Sequence, residues 1–95
     1  MKRVHIAVTG EVQGVGFRYT MQAIAQRAGA SGWVRNRPDG SVEAEVEGTD
    51  AAVQAVVDWA GRGPRGGWVQ TCRVTEIAPD TIPSARPVCT IIVPK

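Results

Sequence analysis

The sequence contains one histidine and two cysteines, and that scarcity removes several chemistries at once. Cys72 and Cys89 fit neither a C-x-x-C pair nor a zinc-binding spacing, and His5 alone cannot complete a Cys/His metal set. Both cysteines are expected as free, half-buried thiols in strands, with a structural disulfide between them as the alternative. Aromatic residues are only 5% of the chain. Trp33, Trp68 and Tyr19 do not form the row of exposed strand aromatics on which RNA-binding modules stack bases. Charge is sparse in sum as well: the net value is +2, and the 11 Lys and Arg are scattered, so no nucleic-acid partner is expected. No apolar run approaches the roughly 18 residues of a membrane span. The opening "MKRVHIAVTGEV" is interrupted by His5 and Glu11 before it reaches signal-peptide character. The expectation is a cytoplasmic protein with no membrane partner.

What is present suits an ordinary globule. With 95 residues, 43% apolar and 21% charged, residues 1–95 are expected to form one domain around one core. In "RVHIAVTG", Val4, Ile6 and Val8 alternate with Arg3, His5, Ala7 and Thr9, which predicts a strand with one buried face and His5 on the polar one. Phe17, Met21, Ile24, Ala25 and Ala28 follow a helical stripe that Gly29 closes. "SGWVRNRPDGSVEAEVEG" predicts a hairpin turning at "RPDG". On its return strand Val42, Ala44 and Val46 point inward, and Glu43, Glu45 and Glu47 point outward beside Arg35 and its neighbours. Thr49 or Asp50 can cap a second helix with Ala52, Val53, Val56, Val57 and Trp59 or Ala60 inward. "GRGPRGG" breaks it, "WVQTCRVTEIAP" reads as a strand, and "VCTIIVP" reads as a short last one. The order fits an α+β, ferredoxin-like split βαβ sandwich, with two helices on one face of an antiparallel sheet. Order alone does not separate this from other α+β packings, and it carries no function.

The costly feature is "TGEVQGVGFRYT", which sets Gly10, Gly14 and Gly16 just before a helix. Its spacing is neither G-x-G-x-x-G nor a Walker loop, since no Lys-Ser or Lys-Thr follows. The ingredients of an anion site are nevertheless there. A helix starting near Gly16 or Phe17 presents unpaired N–H groups and the positive end of its dipole. Glycines before it let backbone donors approach a ligand, a role for Gly14 and Gly16, whereas Gly10 is expected to end the first strand. Arg18 sits in the first turn, where the dipole disfavours a cation and a bidentate phosphate would compensate. From these residues alone, an anion site and a plain connection both remain open. Asn36 is equally open to a role as a hairpin-capping amide.

"GEVQGVGFR", with Asn36 following in "GWVRNRPDGSVEAEVEG", resembles the acylphosphatase family. The two motifs cover residues 10–18 and 32–48, and the order of elements agrees through "IIVPK". The resemblance implies hydrolysis of the mixed anhydride of a carboxylate and phosphate, with a small acyl phosphate as substrate and with neither metal nor cofactor. It implies that Arg18 and the backbone N–H groups of Gln13, Gly14, Val15, Gly16, Phe17 and Arg18 hold the phosphoryl group, and that Asn36 positions the attacking water. A monomer is the expected state. The family commonly has Ser or Thr three residues after the arginine, where this chain has Met21, with Thr20 beside it on another helix face. That departure keeps a second function in view: a non-catalytic phosphate- or carboxylate-binding module that retains the cradle.

Overall fold

Val4, Ile6 and Val8 are each at most 2% exposed while their neighbours are not, so the first strand buries one face as its alternation requires. The computed structural model describes residues 1–78 and 90–92. Cys89 and the rest of residues 79–89 lie outside the described residues. The elements run β1 (Lys2–Glu11), α1 (Phe17–Ala28), β2 (Ser31–Asn36), β3 (Val42–Gly48), α2 (Asp50–Arg62), β4 (Trp68–Ile77) and β5 (Thr90–Ile92).

The sheet order is β4-β1-β3-β2-β5. The pairs among β1 to β4 are antiparallel, which gives the expected split βαβ sandwich. β5 adds to β2 in parallel, a direction the linear order of elements does not specify. Val34, Val42, Ala44 and Val46 join the β1 valines and Ile6 on one face, where the core includes Phe17, Met21 and Ala25 of α1 and Val53, Val56 and Trp59 of α2. Each fully buried aliphatic or aromatic side chain of this kind is worth about 1.5–3 kcal/mol of transfer free energy.

Local signals place the helix ends. Gly29, at φ 82°, ends α1, and its N–H and that of Ala30 return to the last carbonyls of the helix. Of the two candidate caps for α2, Thr49 is the one used: its Oγ1 accepts from the Ala52 N–H at 3.1 Å.

The opposite face of the sheet is polar. Arg35 and His5 both reach Glu43, His5 Nε2 lying 2.7 Å from Glu43 Oε2, while Arg3 donates to Glu45 at 2.8 Å. The three outward glutamates thus serve an ion-pair row across β1, β3 and β2. Burial pushes the Glu43 carboxyl up, but hydrogen bonds from His5 and Arg35 and their charges outweigh it and hold the group below the usual glutamate range. Cys72 carries a free, half-buried thiol, and burial pushes its pKa up.

Candidate active site

The site begins one residue later than the sequence suggests. Gly10 was expected to end β1, but the strand continues through Glu11, and the β1/β4 register shifts between Thr9 and Gly10. Gly10 has φ 123°, and a Cβ there would collide with the backbone of Trp68 and Gln70. It is a bulge glycine, serving the sheet rather than the loop. Buried Val12 then anchors the chain, and residues 13–16 form the turn into α1.

Gly14 and Gly16 adopt left-handed backbone, at φ 77° and 79°. A Cβ on Gly14 would meet nothing within 4 Å, so among the described residues the demand for glycine is conformational rather than steric. Left-handed residues within a turn are the backbone form in which successive N–H groups can converge on an anion. Gly16 is also the N-cap of α1 and offers no side-chain cap. The first helical bond runs from the Thr20 N–H to the Gly16 carbonyl at 2.9 Å, so the N–H groups of Phe17, Arg18 and Tyr19 precede the helical ladder and can serve a ligand. The first turn holds no acidic residue, leaving the positive end of the dipole to whatever anion approaches.

Side chains fix this backbone from below. Phe17 is 1% exposed, and Val15 packs partly buried against the same core. Each can therefore hold its own peptide group in place while its side chain points away from the loop. Met21, which stands where the family commonly has a hydroxyl residue, is wholly buried core. Thr20 is half-buried, with its Oγ1 4.0 Å from where a Gly16 Cβ would lie.

Strand parity brings in the second element. Asn36 shares the face of buried Val34 at the end of β2, which is the helix side of the sheet. There it meets α1's first turn. Arg18 and Asn36 line one cavity of about 170 Å³ together with Val12, Gly14, Gly16, Phe17 and Tyr19. Of the residues expected at a site, the structure brings Gly14, Gly16, Phe17, Arg18 and Asn36 together here. Val15 and Gln13 are not among the residues that line it, and Gln13 turns its side chain to the β2–β3 hairpin. His5, on the polar face, is across the sheet from the cavity. Among the described residues no group of three His, Cys, Asp or Glu is placed to hold a metal ion, and no helix is long and apolar enough to cross a membrane.

Tyr19 is a cavity residue that sequence reasoning did not assign to the site. It is 75% exposed at the rim. The available signal was its place in the first turn beside Arg18, where an apolar side chain outside the buried stripe has only solvent or a ligand to face.

A sequence model of the acylphosphatase family matches residues 4–84. The chain belongs to the acylphosphatase family. An acylphosphatase of Thiobacillus denitrificans is 61% identical over 64 residues, which are 67% of this chain and 72% of that one. An acylphosphatase of Gloeobacter violaceus is 50% identical over 78 residues, covering 82% and 84% of the two chains. Among solved structures, the acylphosphatase of Bacillus subtilis superposes with a TM-score of 0.84 at 37% identity, covering 97% of this chain and 99% of that one. The family and enzyme class read from the two motifs are thus those of its relatives, and the acylphosphatase fold accounts for the whole described sheet and both helices.

Proposed function

We propose that this acylphosphatase hydrolyses acyl phosphates to a carboxylate and inorganic phosphate in the cavity at the start of α1. The observation that carries the reading is that Arg18 and Asn36, eighteen positions apart, line the same small cavity as Gly14 and Gly16. Arg18 and the N–H groups of residues 13–18 hold the phosphoryl oxygens, where charge must be stabilised during transfer. Asn36 is no base at neutral pH, so its amide orients water by hydrogen bonding. Water attacks phosphorus, the P–O bond to the acyl oxygen breaks, and the carboxylate leaves with the electron pair. Its conjugate acid has a pKa of about 4–5, so the departure needs no general acid. The water's proton passes to the phosphate or to solvent. Positioning and electrostatics carry the catalysis.

A cavity of about 170 Å³ is of a size for small-molecule acyl phosphates. In the same reading the enzyme acts in the cytoplasm as a monomer, in keeping with the polar, ion-paired outer face of its sheet.

The test is benzoyl phosphate hydrolysis by the wild type, Arg18→Ala and Asn36→Ala, with inorganic phosphate as a competitive probe. Arg18→Ala loses phosphate binding and nearly all turnover; Asn36→Ala keeps phosphate binding and loses turnover. Normal hydrolysis by Asn36→Ala overturns its role. Phosphate binding without hydrolysis in the wild type makes the chain a binding module instead. The rate is expected to be indifferent to chelator.

A further inference from the structure

Gln13 sends its side chain out of the glycine turn to another element. Its Nε2 donates to the Arg37 carbonyl at 2.7 Å and to the Ser41 carbonyl at 2.9 Å. A primary amide has two N–H donors on one nitrogen, and both partners are acceptors, so this arrangement uses the whole NH2 group and fixes which end of the amide faces the hairpin.

The two carbonyls are not arbitrary points on the hairpin. Arg37 and Ser41 close the turn between β2 and β3: the Arg37 N–H donates to the Ser41 carbonyl at 2.8 Å, and the Gly40 N–H to the Arg37 carbonyl at 3.1 Å. Asp39 Oδ1 braces the same turn by accepting from the Ser41 N–H at 2.9 Å and its hydroxyl at 2.5 Å. Ser41 is only 7% exposed. The turn is therefore closed by its own hydrogen bonds, and Gln13 fills the second lone pair of each carbonyl that closes it.

Arg37 directly follows Asn36, and Ser41 directly precedes Val42, the residue paired with Asn36 across the hairpin. On the other side, Gln13 directly precedes Gly14 of the cavity wall. One peptide unit thus separates the bridge from the glycine cradle, and one separates it from Asn36. The bridge ties together the two halves of the cavity above the core that α1 and β2 share.

We propose that the Gln13 side chain is a positioning residue that sets the distance between the phosphate cradle and Asn36. It touches neither water nor substrate; it acts through the hairpin. The inference rests on the reading of Arg18 and Asn36 given above. Without the bridge the cradle retains its own glycines, helix start and Arg18, so phosphate still binds. The water held by Asn36 is then misaligned with the phosphorus, and misplacement on the order of 1 Å costs about a hundredfold in rate.

The experiment compares the wild type, Gln13→Met and Gln13→Glu for kcat and KM with benzoyl phosphate, inhibition by inorganic phosphate, and melting temperature. In Gln13→Met, kcat is expected to fall about 10- to 100-fold while the phosphate inhibition constant moves by less than about threefold. In Gln13→Glu the carboxylate faces two carbonyl oxygens and cannot donate. Once protonated it donates to one of them, so kcat recovers in part as pH falls, and this acid recovery is absent from the wild type and from Gln13→Met. Unchanged kcat in Gln13→Met overturns the proposal while leaving the functional reading intact. Equal loss of phosphate binding and kcat in both variants, with no acid recovery, also overturns it, since Gln13 then serves the fold alone. A wild type that binds phosphate but hydrolyses nothing overturns both.

Discussion

The ring of Phe17 lies 4.8 Å from that of Trp59, tilted by 51°, so the first residue of α1 is locked against the last turn of α2. This is the joint that holds the cradle backbone on the sheet. Phe17 is fully buried, and the pair's tilted geometry adds about 0.5–1.5 kcal/mol to the area it hides. Phe17→Ala is expected to cost about 3–5 kcal/mol, and Phe17→Leu distinctly less. Urea unfolding of the two variants beside the wild type measures the difference.

The glycines of the first loop divide by the reason each is needed. At Gly14 an alanine meets only its own positive φ, a cost of about 1–2 kcal/mol. At Gly10 the added Cβ strikes the β4 backbone, which must move. Gly10→Ala is therefore expected to lower the melting temperature more than Gly14→Ala. Gly14→Ala is expected to be the more damaging to phosphate inhibition, because its strain falls in the cradle.

Arg18→Lys keeps the charge and loses the planar fork that grips two phosphoryl oxygens. Its kcat/KM for benzoyl phosphate is expected to fall about a hundredfold, the scale of losing one oriented donor. Recovery of wild-type kcat/KM by lysine would reduce Arg18 to a point charge.

Tyr19 stands at the cavity rim, largely exposed. Aromatic contact there is worth about 0.5–1.5 kcal/mol, which converts to a two- to tenfold rise in KM for benzoyl phosphate in Tyr19→Ala. Acetyl phosphate, with no ring, is expected to show little change. Equal effects on both substrates remove Tyr19 from acyl recognition.

Acid is expected to weaken the fold through the polar face of the sheet. The Glu43 carboxyl is pushed up by burial but held lower overall by His5 and Arg35, so its folded pKa lies below its unfolded one. Its contribution is fully present above the unfolded value of about 4.3 and is lost as pH falls through the folded one. Asp39 acts in the same direction, its carboxylate held low by the Ser41 hydroxyl and N–H. Glu43→Gln is expected to show a shallower loss of stability than the wild type as pH falls below about 4.3. Parallel curves would assign the acid sensitivity elsewhere.

Much of the fold is legible in the residues themselves. The period-two runs around Val4 and Val42 and the stripe from Phe17 to Ala28 fix which residues face the core, because alternation and the helical turn are properties of local backbone. Thr49, Gly29 and "RPDG" mark ends and turns for the same reason. The parity of Val34 and Asn36 even carries Asn36 to the helix side of the sheet. Gly10 reads wrongly as a strand end because a bulge is defined by the partner strand, and β4 lies more than fifty residues further along.

The amino-acid order alone specifies the elements, their buried faces and the two motifs that mark the family, since each is written in spacings of a few residues. It takes the assembled sheet to establish that Gln13 reaches across to Arg37 and Ser41, that Tyr19 joins the cavity, and that β5 runs parallel to β2. Those outcomes depend on strand register and on where a side chain meets a distant carbonyl. Register is the sum of all the contacts in the sheet, so no local spacing contains it.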